Sequence, residues 1–147
     1  MSVEQNKALV RRLFDGDLNV NDQAARSRAA DELIAVDFVD YTNPPGLQHG
    51  LESHKQIVTM LHAAFADLHW QYEDPIAEGD KVAIRVAMHG THQGEFFGIP
   101  QTGKQVAVSG IHIMRFADGK LVEHWGNNDD LGLLQQLGVV LAQEEMR

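Results

Sequence analysis

The apolar residues in the first half of the chain recur three and four positions apart, which is typical of helices packed on one side. Three stretches follow this pattern, at residues 9–14, 25–34 and 51–65. The first stops at the loop signal Asp15-Gly16-Asp17, and Asn21 or Asp22 can cap the second. Residues 38–41 between the second and third stretches predict a short strand, which the Pro-Pro-Gly run at 44–46 ends.

From Leu68 onward the apolar period changes to two, which is typical of strands. The predicted strands begin at residue 68 and cover residues 81–91, 106–116 and 121–125, and residues 78–81 read as a hairpin turn. The even-numbered residues from 82 to 88 are expected to be buried. A last helix is predicted to begin near Asp129 and to end at Gly138.

The order of these elements predicts the fold class. Helices and strands are segregated along the chain, which indicates an α+β fold with a curved antiparallel sheet covered by helices. Such a pair of layers encloses a conical cavity, and cavities of this kind bind small molecules. No repeat or linker divides the sequence, so we expect residues 1–147 to form a single domain.

Composition and charge then exclude several classes of binding partner. The formal charge of −9 has the wrong sign for binding nucleic acid or an anionic membrane. The chain has no cysteine, and it has no apolar run approaching the roughly 18 residues of a membrane span. His89 and His92, three positions apart on a strand, point to opposite faces and do not form a metal site. We therefore expect a cytoplasmic protein with neither a metal nor another cofactor.

Five segments carry a family resemblance: AVDFVDYTNPPG, AFADLHWQYEDPIAEGDKVAIRV, GTHQGEFFGIPQTGKQV, SGIHIMRFADGKLVEHWGNNDD and LGLLQQLG. They are similar to the SnoaL-like polyketide (ester) cyclases of the nuclear-transport-factor-2-like superfamily, over nearly the whole chain. The resemblance implies a cone-shaped, cystatin-like barrel with a deep pocket, and commonly a homodimer or higher homo-oligomer. It also implies a cofactor-independent intramolecular aldol condensation of a small hydrophobic carbonyl or ester substrate.

His112 is the first candidate for this chemistry, which needs a base and a proton donor in a water-poor pocket. Its imidazole interrupts an otherwise apolar row on the third long strand, so it needs a polar partner. The resemblance implies that related ketosteroid isomerases carry a catalytic acid at the matching strand position. A hydrogen-bonded core histidine is the alternative interpretation.

His124 is the second candidate, and the strand register decides its role. A three-residue turn at residues 117–119 pairs His112 with His124 on one face. A two-residue turn at residues 118–119 pairs His112 with Trp125 instead and places the two histidines on opposite faces. We expect the first register.

Asp129 is the third candidate, because the resemblance implies an acid/base aspartate near the end of the last strand. Asp130 is an alternative at the next position. Gly126 follows Trp125 directly, where we expect some relatives to carry an acidic group. Asp129 is equally suited to cap the last helix.

Aromatic, sulfur-containing and amide side chains are expected to complete the substrate pocket. They are Tyr41, Asn43, Trp70, Met88, Phe97 and Met114. Turn structure is the alternative role for Asn43, and plain core packing is the alternative for the aromatic residues. Two classes of function therefore stay open: an acid/base enzyme that cyclises, isomerises, dehydrates or hydrolyses a metabolite, and a non-catalytic protein that binds a hydrophobic ligand.

Overall fold

The structure, a computed structural model, describes residues 1–140. These residues contain four α-helices: α1 (Val3–Leu13), α2 (Gln23–Leu33), α3 (Leu51–Ala64) and α4 (Asp130–Leu137). They also contain five strands: β1 (Ile34–Asp40), β2 (His69–Glu78), β3 (Lys81–Thr91), β4 (Gln105–Ala117) and β5 (Lys120–Asn128). The predicted α+β class with a curved sheet is confirmed.

Helix α1 begins at Val3, six residues before the apolar stretch that predicted it, and a capping box stabilises its start. Ser2 and Gln5 form a capping box, in which the Ser2 hydroxyl accepts from the Gln5 backbone N–H and the Gln5 side chain accepts from the Ser2 N–H. The loop predicted at residues 15–17 is wrong, because a π-helical turn, Phe14–Leu18, continues α1 directly. Within this turn the Asp17 carboxylate is buried and lies 2.6 Å from His54 Nε2 on α3, an inward contact that an exposed loop would lack.

The sheet has the strand order β1-β5-β4-β3-β2. Strands β2 to β5 are antiparallel, as predicted, but β1 pairs parallel to β5. Strand β1 also begins at Ile34, a residue that the helical pattern assigns to α2. Ile34 is fully buried and pairs with Leu121, so burial in the sheet outweighs one more helical position.

The helices cover one face of this sheet, and we call it the inner face. Its residues on β3 are Val82, Ile84, Val86 and Met88, and all four are buried as the alternation predicts. Two apolar clusters lie between the layers, one beneath α1 and α2 and one around Phe65 and α4. Trp70 packs against both clusters. Within residues 1–140 no helix is long and apolar enough to cross a membrane.

Candidate functional site

The turn between β4 and β5 is the two-residue alternative. Asp118 and Gly119 occupy it with positive φ angles of 53° and 79°, as a type I′ hairpin requires, and Ala117 pairs with Lys120. The three-residue turn that we expected is therefore wrong.

A β-bulge then shifts the register by one residue. Phe116 pairs with Leu121 but Arg115 pairs with Glu123, so Val122 is the extra residue. This shift moves the even-numbered residues of β5 to the inner face. His124 therefore lies on the same face as His112, although the two are diagonal neighbours rather than a directly opposed pair.

His112 is buried, and its ring lies across β5 at Gly126, its direct partner. Its Nδ1 lies 2.7 Å from His124 Nε2, and its Nε2 lies 2.7 Å from Asn128 Oδ1. A Cβ atom at Gly126 would lie 2.8 Å from Cγ and Cδ2 of the ring, closer than real Cβ contacts allow. Gly126 thus makes room for the imidazole. His124 and Asn128, two residues before and after it, can therefore reach the two ring nitrogens.

A second glycine makes room for the amide. Gly110 on β4 pairs with Asn128, and a Cβ atom at Gly110 would overlap Asn128 Oδ1. Two glycines on adjacent strands, Gly110 and Gly126, therefore leave the space in which His112 and Asn128 meet.

Asp40 extends this network on the other side of His124. The two residues are partners in the parallel pairing of β1 with β5, and Asp40 Oδ1 lies 3.3 Å from His124 Nδ1. The same oxygen accepts hydrogen bonds from Thr42 N at 2.9 Å and from Thr42 Oγ1 at 2.5 Å. Burial raises the pKa of the Asp40 carboxyl, but the His124 contact and the Thr42 hydrogen bonds outweigh it and bring the pKa to about 2.

His112 is held in its neutral form. Burial lowers its pKa, and the charge of His124 lowers it further. The hydrogen bond to Asn128 and the charge of Asp40 oppose these effects only in part, so the pKa of His112 is about 4. Near neutral pH an ionised carboxylate thus ends a row of two imidazoles, and the buried member of that row is uncharged.

The structure places Asp129 outside this row of side chains. Its side chain is exposed and caps α4, where Oδ1 accepts from Gly132 N at 2.9 Å. Its backbone N–H donates to Ser109 O at 2.8 Å. Asp130 lies in the first turn of α4. The alternative that we left open, a helix cap, is what the geometry of Asp129 shows.

Of the six expected pocket residues, three lie on the inner face. The Trp70 ring meets His112 edge to face, with ring centroids 6.4 Å apart. Met114 and Met88 are buried on either side of the His112 position, one in each apolar cluster.

The other three lie elsewhere. Tyr41 is exposed, stacks on Trp125 and donates its hydroxyl to Glu123, which puts it on the outer face of the sheet. Asn43 has the alternative turn role, since its amide donates to Gln48 O. Phe97 is 53% exposed on the loop before β4. The structure does not bring these three side chains to His112.

A cleft of about 320 Å³ opens at the edge of β2, between that strand and the π-helical turn. Trp70 is one of its walls, so this indole touches both the cleft and His112. Asn19, another wall residue, holds the strand there, because its amide donates to Trp70 O and accepts from Trp70 N. A second cleft of about 460 Å³ lies between α2 and α3. His112 lines neither cleft, and Trp70 is its link to the first.

Two members of the network were missed from the sequence. Asp40 could have been suspected, because it follows the apolar residues Phe38 and Val39 in a predicted strand, and a buried aspartate needs a partner, as His112 does. Asn128 carried no such signal, since the predicted last strand stopped at Trp125 and left it in a loop.

Comparisons with known proteins identify the family of this chain. The sequence model of the SnoaL-like polyketide cyclase family matches residues 8–137. The chain is 31% identical over 122 residues to the aklanonic acid methyl ester cyclase DnrD of Streptomyces peucetius, covering 79% of this chain and 84% of that protein. It is 34% identical over 104 residues to the nogalonic acid methyl ester cyclase of Streptomyces nogalater, covering 67% and 78%.

A solved structure has the same fold over nearly the whole chain. The structure of TsrD from Streptomyces laurentii superposes with a TM-score of 0.84 at 26% identity, and the match covers 95% of this chain and 99% of that one. The inner-face site lies within residues 8–137, and so do the segments quoted from the sequence except for the final residue of the last one, Gly138. The chain therefore belongs to the SnoaL-like polyketide cyclase family and is an enzyme of that cyclase type.

Proposed function

We propose that this enzyme closes a ring in a polyketide methyl ester by intramolecular aldol condensation, with His112 at the reacting oxygen. The observation that carries the proposal is the row Asp40–His124–His112–Asn128 on the inner face of the sheet. The substrate class is supported by the relatives, which are named as cyclases of aklanonic acid methyl ester and nogalonic acid methyl ester.

The reaction moves protons and makes one carbon–carbon bond. A proton leaves the carbon next to one carbonyl, the resulting enolate attacks a second carbonyl carbon, and the oxygen of that carbonyl takes up a proton. No atom is lost, so the product is an isomer of the ester. His112 and His124 can handle these protons, because a charged partner, Asp40, lies at the far end of the row. Asp129, the residue after Asn128, stays a predicted acid/base group.

The test is conversion of aklanonic acid methyl ester, followed by chromatography and mass spectrometry. His112→Gln keeps a polar side chain without an ionisable ring, and we expect turnover to fall by roughly 10²–10⁴-fold, the usual contribution of a positioned acid or base. His89→Gln is the matched control, since His89 is exposed on the other face of β3. Unchanged turnover in His112→Gln would remove this site, and an inactive wild-type enzyme would remove the substrate class.

We also propose that the enzyme is a homodimer joined through the outer face of the sheet. Ile111 and Ile113 are 54% and 38% exposed there, next to the stacked pair Tyr41 and Trp125. A two-fold interface would bring this patch of both copies together and remove it from water. Sedimentation should show a dimer that the double substitution Ile111→Lys and Ile113→Lys dissociates, while Leu131→Lys on α4 leaves it intact. A wild-type monomer would refute this.

The proposed reaction is cofactor-independent, because proton transfer between side chains and substrate supplies all its steps. Within residues 1–140 no group of three or more His, Cys, Asp or Glu side chains is placed to hold a metal ion. Full turnover after dialysis against a chelator supports this proposal, and turnover restored only by an added metal contradicts it. Cytoplasmic location stays a prediction, which fractionation of the producing cells tests.

A further inference from the structure

Both ring nitrogens of His112 are occupied by protein atoms, so its role depends on which nitrogen carries the proton. We propose that Asn128 is a positioning residue that keeps this proton on Nε2, so that His112 offers an N–H to a substrate carbonyl oxygen. In the free enzyme the Asn128 carboxamide oxygen occupies the place of that oxygen. The inference rests on the proposed function and assigns a direction to the proton transfer.

Donors and acceptors alternate along the row, beginning at Asp40. The Asp40 oxygen can only accept, so the facing His124 Nδ1 carries a proton. Asn128 Oδ1 can also only accept, so the facing His112 Nε2 carries a proton. His112 is neutral and holds one ring proton, so its Nδ1 accepts and His124 Nε2 donates. His124 then carries a proton on both ring nitrogens and faces Asp40 as a cation. The carboxamide therefore determines the tautomer of His112.

The packing around Asn128 supports this arrangement. Gly110 lies directly opposite Asn128, and any side chain there would collide with its Oδ1. Gly126 provides the corresponding space for the His112 ring. The backbone therefore gives room for the Asn128 carboxamide to contact His112 Nε2.

A substrate oxygen must replace the Asn128 oxygen to reach this N–H, since no other ring proton of His112 is left. A carbonyl oxygen is the chemical match, because it accepts in the same way as the carboxamide oxygen that it displaces. A neutral imidazole N–H can polarise a carbonyl, and it transfers its proton as the aldol oxygen becomes negative. His112 then acts as the acid of the reaction, and another group removes the carbon-bound proton.

The tautomer can be measured without a substrate by long-range ¹H–¹⁵N spectra of enzyme labelled with ¹⁵N-histidine. We expect the Nε2–H tautomer for His112 in the wild type and in Asn128→Asp, whose carboxylate also accepts. We expect a mixture with Nδ1–H in Asn128→Ala. Asn127→Ala, which alters the neighbouring exposed residue on the opposite face, should leave the wild-type tautomer. A wild-type Nδ1–H tautomer, or no change in Asn128→Ala, would overturn the proposal.

Kinetics supply an independent readout. In Asn128→Ala we expect kcat to fall at least about tenfold, because part of the His112 population lacks the donor. KM should stay equal or fall, since the oxygen that competes with the substrate is gone. A rise in KM at constant kcat would mean that Asn128 only binds substrate, against the proposal. If the tautomers behave as expected but no ester is converted, the proposed function fails while the positioning role of Asn128 stands.

Discussion

The free energy of unfolding should fall steeply below pH 6.5 because of one residue, His112. An unfolded histidine has a pKa of 6.5, whereas that of His112 is about 4 in the folded chain. At about 1.4 kcal/mol per unit, this difference of about 2.5 units corresponds to about 3 kcal/mol. The side chain is only 6% exposed, so solvent screens little of this effect.

Acid destabilises the folded chain because the unfolded chain binds this proton first. As the pH falls, the unfolded chain protonates this histidine near pH 6.5, while the folded chain resists until about pH 4. The contribution is therefore fully present above pH 6.5 and is lost between pH 6.5 and about 4. At about pH 4.5 some 2.5 kcal/mol of it should be gone.

Urea unfolding of wild type and His112→Gln near pH 7 and pH 4.5 measures this effect. The glutamine does not titrate, so the variant should lose about 2.5 kcal/mol less than the wild type between the two pH values. His89→Gln serves as the control for removal of an exposed histidine, and it should follow the wild type. Equal pH dependence in wild type and His112→Gln would refute the burial argument.

Three further substitutions test the histidine network and Asp129. Asp40→Asn should lower the free energy of unfolding by about 2 kcal/mol at neutral pH, because the pKa of Asp40 is about 2 instead of 3.8. The difference from wild type should vanish below about pH 2, and a difference that persists there would mean lost packing instead. Gly126→Ala should lower both stability, by roughly 1–3 kcal/mol in urea unfolding, and turnover, because its Cβ would press on the His112 ring; normal turnover would show that the ring can move without consequence. Asp129→Asn should keep the cap of α4 and the melting temperature; a large loss of turnover would then support Asp129 as an acid/base group, and unchanged turnover would refute it.

Short-range patterns predicted most of the fold. The two-residue period places His112 on the buried face, and this inference holds because parity within one strand depends only on local alternation. The helices and the four consecutive strands follow from equally local signals. Their ends differ at Ile34, where α2 gives way to β1, and at Asn128, where β5 continues past its predicted end. The loop predicted at residues 15–17 is a π-helical turn instead.

Long-range pairing could not be predicted in the same way. The contact between Asp40 and His124 depends on β1 joining the edge of the sheet parallel to β5, which no local pattern encodes. The contact between His112 and His124 was expected from a register that is wrong. It exists because the bulge at Val122 adds one residue to a two-residue turn and restores the parity that a three-residue turn would have given.

Gly126 explains why this chain has no acidic residue directly after Trp125. We expected an acidic group at this position in some relatives, and its absence left the site without an evident carboxylate. The geometry gives a reason, since any side chain at 126 would occupy the space of the His112 ring. A carboxylate at 126 and an imidazole lying across that position exclude each other, so in this chain the negative charge must come from elsewhere. Asp40 supplies it from β1, through His124, without occupying the space beside the His112 ring.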